Sequence, residues 1–226
     1  MGRKILCIEG SDGSGKQTQA NLLAEYLRDT LHYKAKTFSF PNYTNDLSSS
    51  LVKAYLSGQF GMHPEDTGPY ATSMFYAVDR FVTAYGPEKS TFQESLDFLV
   101  LDRYVGSNAI HQGAKLKADE LNLFLDWLYD FEFSKLGLPK PSITVYLDVP
   151  PQISWELKRT RANKITGGQQ QDIHESDRQF LERSYKTGLL VAKRWGWRVI
   201  PCVENEHLLP VDAIQRRILK SVWEVL

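Results

Sequence analysis

Ten consecutive residues carry the clearest chemistry in this chain: Glu9-Gly10-Ser11-Asp12-Gly13-Ser14-Gly15-Lys16-Gln17-Thr18. Gly10, Gly15 and Lys16 have the spacing at which successive backbone N–H groups converge on a polyphosphate while the lysine ammonium reaches its β and γ groups. The whole run from Gly10 to Thr18 is therefore the expected ATP site. A side chain at Gly10 or Gly15 would obstruct the turn. The position after the lysine normally holds a hydroxyl residue facing Mg²⁺, and here it is Gln17. An amide oxygen can also face a hard cation, directly or through water, so Mg²⁺ is expected with ATP and Gln17 is a candidate on its shell.

Asp102-Arg103-Tyr104 is a second cluster, closing the apolar run Phe98-Leu99-Val100-Leu101. A carboxylate has few reasons to end such a run unless it faces a cation or a polar crevice, which makes Asp102 the acid on the Mg²⁺ side. Arg103 can fork onto a phosphate with two parallel hydrogen bonds. The bland reading is an acid and a base capping a strand. Tyr76 and Arg80, four residues apart, share one helix face, and an aromatic plate beside a guanidinium suits a nucleobase. A solvated cation on an aromatic surface is the simpler reading of that pair. A basic segment, Lys158-Arg159-Thr160-Arg161-Ala162-Asn163-Lys164, runs into Gly167-Gly168-Gln169-Gln170-Gln171, as a lid over ATP phosphates would require.

These groups need a frame. Strand-like runs at residues 4–9, 35–40, 97–102, 143–148 and 197–203 alternate with helical patterns. The first helix follows the glycine loop, with Ala20, Leu23, Leu27 and Leu31 as its stripe. Others are expected at 47–57, 67–85, 119–134, 151–161, 175–195 and 211–225. Continuous apolar strands suit a parallel sheet covered by helices on both faces, a three-layer α/β fold of five strands in one domain spanning 1–226. Ligands gather beyond the carboxyl ends of such strands, where the glycine loop, Phe40-Pro41 and Asp102-Arg103 all fall.

The 226 residues carry 27 basic and 27 acidic side chains, which argues against a broad nucleic-acid or membrane footprint. The expected setting is cytoplasmic, since neither a signal peptide nor a long apolar span is evident. Cys7 and Cys202 have no metal-ligand or redox spacing and read as buried thiols. Asn42-Tyr43-Thr44 matches a glycosylation acceptor by coincidence.

Taken together, the chain resembles the thymidylate kinase family of nucleoside monophosphate kinases. The likeness rests on the phosphate loop, Phe40-Pro41-Asn42-Tyr43, the Met74 to Arg80 helix, Asp102-Arg103-Tyr104 with Ser107-Asn108, Leu138-Pro139-Lys140-Pro141, Tyr146-Leu147-Asp148-Val149 and the arginine-bearing lid. It implies a P-loop fold with a short lid, about 159–174, and transfer of the γ-phosphoryl group of Mg²⁺-ATP to dTMP. By the same resemblance Lys16 holds ATP phosphates, Arg103 the acceptor phosphate, and Asp12 the acceptor sugar or its phosphate. Tyr76 stacks on thymine, with Phe75 as its stand-in if the register slips, and Arg80 and Asn108 bond the base edge. Phe40, Pro41, Tyr43, Ser107 and His111 complete the dTMP site. Gly13 stands where some members carry an arginine, which assigns the catalytic arginine to the lid at Arg159 or Arg161, with Lys164 third. A homodimer is implied as well. Gln17, His111 in place of a tyrosine, and Ser142 in place of an aspartate depart from the family pattern.

Three rivals remain at this level. The first is a P-loop kinase for another nucleoside monophosphate or a deoxynucleoside. The second is a GTP-dependent switch, whose Asn-Lys-x-Asp guanine reader finds only Asn163-Lys164-Ile165-Thr166. The third is an inactive nucleotide-binding relative.

Overall fold

The computed structural model describes residues 3–86, 92, 94–158 and 173–226. Five parallel strands, β1 (Lys4–Gly10), β2 (Ala35–Ser39), β3 (Phe98–Asp102), β4 (Ile143–Asp148) and β5 (Arg198–Pro201), run in the order β2-β3-β1-β4-β5. A short antiparallel hairpin, β6 (Val203–Glu204) and β7 (His207–Leu208), follows. The helices are α1 (Lys16–Glu25), α2 (Asp46–Leu56), α3 (Pro69–Tyr85), α4 (Val105–Gly113), α5 (Ala118–Tyr129), α6 (Pro151–Lys158), α7 (Ile173–Ser176), α8 (Arg178–Arg194) and α9 (Val211–Val222).

Period-2 alternation divides β1 between two cores. Leu6 and Ile8 enter a layer with Leu23 of α1, Leu27 just after it, and Ile214 and Ile218 of α9. Ile5 and Cys7 face the opposite layer, with Phe124, Leu125 and Leu128 of α5 and Val191 of α8. Burial on both faces is why β1 and β3 read as unbroken apolar runs, and it establishes the fold class expected from the sequence.

Several boundaries moved for local reasons. The expected 175–195 helix is interrupted at Asp177, whose side chain accepts from Phe180 N (2.9 Å) and starts α8 afresh. Asn45 likewise starts α2, accepting from Leu47 N and Ser48 N. The 197–203 strand stops at Pro201, with β6 beginning after Cys202. Helix α4 was not anticipated. It is nine residues long, contains two glycines and buries the polar Asn108, His111 and Gln112 beside its apolar residues, so the apolar pattern of the sequence does not mark its buried surface.

Candidate active site

β1 ends at Gly10 (φ +154°), where a Cβ would lie 2.8 Å from Ser14 Oγ and 3.0 Å from Leu147 O, too close for any side chain. Gly15 is needed for a different reason: a Cβ there meets open space, but φ is +86° at the cap of α1. The loop is tied by Ser14 N donating to Ser11 O (3.2 Å) and Ser11 Oγ donating to Val149 O (3.2 Å). Lys16 is buried and folds over the loop, its Nζ donating to Ser11 O at 2.8 Å. The N-terminal end of the α1 dipole adds a positive pole. Loop, lysine and helix end thus make a cradle for a polyphosphate.

Parallel pairing of β1 with β3 sets Asp102 opposite Ile8, one strand away from the loop. Ser39 Oγ donates to Asp102 Oδ2 at 2.9 Å, while Asp102 Oδ1 and Ser14 Oγ are buried with no hydrogen-bond partner among the described residues. Two orphaned oxygens fit a hydrated cation arriving with a nucleotide. Among the described residues there is no group of three or more metal-ligating His, Cys, Asp or Glu side chains. Gln17 is exposed on the first turn of α1.

Arg103 adopts a left-handed backbone (φ +69°), pinned by Arg103 N donating to Ile8 O at 3.1 Å. Its guanidinium donates to Asp12 Oδ1 of the phosphate loop and to Ser107 Oγ (3.3 Å), and lies 3.4 Å from His111 Nε2. Glu9, the penultimate residue of β1, is fully buried beneath this corner. Its Oε1 accepts from Tyr104 N (2.8 Å) and Ser107 N (3.0 Å), and its Oε2 from Ser107 Oγ (2.7 Å). Burial raises its pKa, with Ser107 and Arg103 opposing the shift.

Asp12, Phe40, Pro41, Tyr43, Tyr76, Arg80, Arg103, Ser107, Asn108 and His111 all line one cavity, together with Leu56, Tyr104, Gln112 and His174. Phe75 turns away from it and packs on Phe60, ring centroids 5.2 Å apart. The Phe40-Pro41 peptide is cis. Arg80 is not a solvated surface cation: it is buried, and its Nε donates to Glu132 Oε2 at 2.6 Å with Nη2 on Oε1. Burial opposes its charge, but the Glu132 carboxylate outweighs that and raises its pKa. Asn108 Nδ2 donates to the same Oε1 and to Ser73 O, both at 3.1 Å. Asp79 on α3 accepts from Asn42 N (2.8 Å) and Ser48 Oγ (2.7 Å), tying the segment after β2 to α3.

Sequence reasoning missed Glu132, Asp79, the bracing role of Glu9 and the place of His174. His174 Nε2 lies 2.8 Å from Tyr55 OH, and its ring stacks on His111 at 5.5 Å. A buried acid in an otherwise apolar strand was the one available signal, and Glu9 showed it. The lid candidates Arg159, Arg161 and Lys164 lie outside the described residues, as does the Asn163-Lys164-Ile165-Thr166 segment. A second, larger cavity of about 330 Å³ lies behind Glu9 and Tyr104. Its cations are already engaged within its own wall: Arg198 pairs with Glu224, and Lys140 sits 4.6 Å from the Tyr129 ring centroid. It adjoins no phosphate loop, and the chemistry converges on the first cavity.

The model of the family described as thymidylate kinase matches residues 8–197. Thymidylate kinase from Mycobacterium tuberculosis is 31% identical over 198 residues, covering 86% of this chain and 88% of that protein. A probable thymidylate kinase 1 from Saccharolobus solfataricus is 26% identical over 213 residues, 94% and 96% of the two chains. The solved thymidylate kinase of Candida albicans shares the fold at TM-score 0.63 and 22% identity, over 99% of this chain and 90% of that one. With this loop, this sheet order and these relatives, the chain belongs to the thymidylate kinase family, the ATP-dependent phosphotransferases that act on dTMP.

Proposed function

We propose that the chain transfers the γ-phosphoryl group of ATP to the phosphate of dTMP, giving ADP and dTDP, with donor and acceptor meeting across the Asp12 to Arg103 contact. The observation that carries this reading is that cavity itself, which opens beside the phosphate cradle and gathers an arginine, an aromatic ring and an amide in one place. The acceptor oxygen is already anionic, since a phosphate monoester has a second pKa of about 6, so no general base is required. The protein's part is alignment and charge neutralisation. Lys16 and the loop amides hold the ATP phosphates. Arg103 grips the acceptor phosphate, releasing Asp12 to the sugar side. Tyr76 stacks on thymine, while Arg80, already oriented by Glu132, and Asn108 present N–H groups to its edge. Asp102 and the loop would hold Mg²⁺, which neutralises charge on the β and γ oxygens when bound. Arg159 and Arg161 are assigned to the transferring group.

Two further properties belong to this reading. The protein works as a homodimer in the cytoplasm. Tyr70, Met74, Val78, Phe81 and Tyr85 form an exposed apolar stripe along α3, larger than scattered surface apolar residues and suited to a second copy. Among the described residues no helix is long and apolar enough to cross a membrane.

ADP release measured with dTMP, dUMP, UMP, CMP and GMP as acceptors tests the substrate assignment. dTMP should give the highest kcat/KM. A preference for CMP or GMP would overturn the roles of Tyr76, Arg80 and Asn108. Turnover of GTP without any acceptor would point to a switch instead.

A further inference from the structure

We propose that Glu9 is a positioning residue for phosphoryl transfer: it fixes the corner from Asp102 to Ser107 and the direction of the Ser107 hydroxyl, and through that hydroxyl aims Arg103 at the acceptor phosphate. The inference rests on the assignment of Arg103 to that phosphate. It begins with where the strand puts the side chain. Glu9 continues the face of Ile5 and Cys7 toward the apolar layer that holds Leu99, Leu101 and Val105, and it is wholly buried. A carboxylate there is costly unless donors surround it.

The donors are specific. Tyr104 N and Ser107 N belong to the first turn of α4, whose cap residue Tyr104 offers no side-chain hydrogen bond of its own. Glu9 therefore caps α4 from the neighbouring strand, accepting from Tyr104 N and sharing Ser107 N with Tyr104 O (3.1 Å), with its carboxylate at the helix's positive end. Adjacent β1 residues hold adjacent residues of the corner: Ile8 O accepts from Arg103 N, and Glu9 from Tyr104 N. The left-handed conformation of Arg103 is strained for a residue with a side chain and persists only where its surroundings impose it. These two contacts impose it. Gly106 leaves the carboxylate its space, since a Cβ there would lie 2.8 Å from Glu9 Oε1.

The polarity of the chain is also determined. Ser107 has one hydroxyl proton, and Glu9 Oε2 takes it at 2.7 Å. Ser107 Oγ is then left as an acceptor facing Arg103 Nη1 at 3.3 Å. An amide at position 9 would present its own N–H to Ser107, turn the hydroxyl proton toward the guanidinium, and set donor against donor.

The test uses the full-length protein and calorimetric binding of two ligands, dTMP and thymidine, which differ only in the phosphate. Wild type, Glu9→Gln, Ser107→Ala and Arg103→Ala are compared, with unfolding midpoints and steady-state kinetics alongside. Glu9→Gln and Ser107→Ala should each weaken dTMP about tenfold, the scale of a lost charge-assisted hydrogen bond, and leave thymidine within about twofold. KM for dTMP should rise and that for ATP stay unchanged. If Arg103→Ala weakens dTMP selectively but Glu9→Gln weakens both ligands equally, or neither, the inference fails while the Arg103 assignment stands. If Arg103→Ala keeps the full preference for dTMP over thymidine, both fail. Should Glu9→Gln not fold, Ser107→Ala decides alone, and unaltered dTMP affinity in that variant overturns the inference.

Discussion

Arg80 and Glu132, 52 residues apart in sequence, close on each other in a two-pronged ion pair that solvent barely reaches, and Asn108 shares one of the carboxylate oxygens. A guanidinium that lines the cavity is thereby oriented by the fold itself.

Glu132→Ala should destabilise the fold by about 3–5 kcal/mol, because a buried guanidinium is left uncompensated. The double variant Arg80→Met with Glu132→Leu should recover most of that loss and still fail to turn over dTMP. Urea denaturation of the single and double variants, with an activity assay, checks both parts. Additive losses would mean that the two residues are not coupled.

Gly106→Ala should cost about 1–3 kcal/mol from overpacking, since the new methyl would sit 2.7 Å from the Trp197 ring and 2.8 Å from Glu9 Oε1. Alanine is ordinarily the better helix residue, so a stabilised variant in thermal unfolding would contradict the geometry.

Gln17→Ser should leave ATP affinity within about twofold and lower the Mg²⁺ concentration for half-maximal activity, because a hydroxyl is the usual group at this position. A magnesium titration identical to wild type would remove residue 17 from the metal's surroundings.

Lys115 donates to Thr67 O (2.9 Å) and Thr72 Oγ1 (3.2 Å) and lies over the Tyr55 ring, and burial lowers its pKa to about 7, with Glu65 opposing. Between that value and its ordinary one the unfolded chain binds the extra proton, so this group makes stability rise with pH, by up to about 1.4 kcal/mol per unit. The excess of the Lys115→Met unfolding midpoint over that of wild type should therefore be greatest at pH 6 and shrink steadily as the pH is raised through 9 toward the ordinary lysine value of 10.5. A difference independent of pH would show that the amine is charged throughout.

What the sequence made legible was whatever carries a period or a fixed spacing. The phosphate loop needs Gly10 and Gly15 at set positions, and the apolar runs of β1 and β3 announce strands buried on both sides. All ten residues expected around the acceptor line one cavity, because the parallel order of the strands brings their carboxyl ends together. Helix α4 escaped because it is short, holds two glycines and buries Asn108, His111 and Gln112, so its burial does not follow the apolar pattern. Glu132 escaped because its partner lies in a distant helix, and a lone acid among aromatic residues looks the same whether it faces water or a guanidinium. Arg80 was expected near the base, but that it is held in place by a buried carboxylate is a property of tertiary contact alone.

The same seven-residue strand, β1, anchors Arg103 through Ile8 and Glu9 and then becomes the glycine turn at Gly10. The separation between the glycine turn and Arg103, and with it that between the two nucleotides in the proposed reaction, is consequently gauged by one short length of covalent backbone rather than by how distant parts of the molecule swing together. Substitutions that thin the packing under Leu6 or Ile8 should blunt turnover without touching either nucleotide, as a warped ruler spoils every measurement made with it.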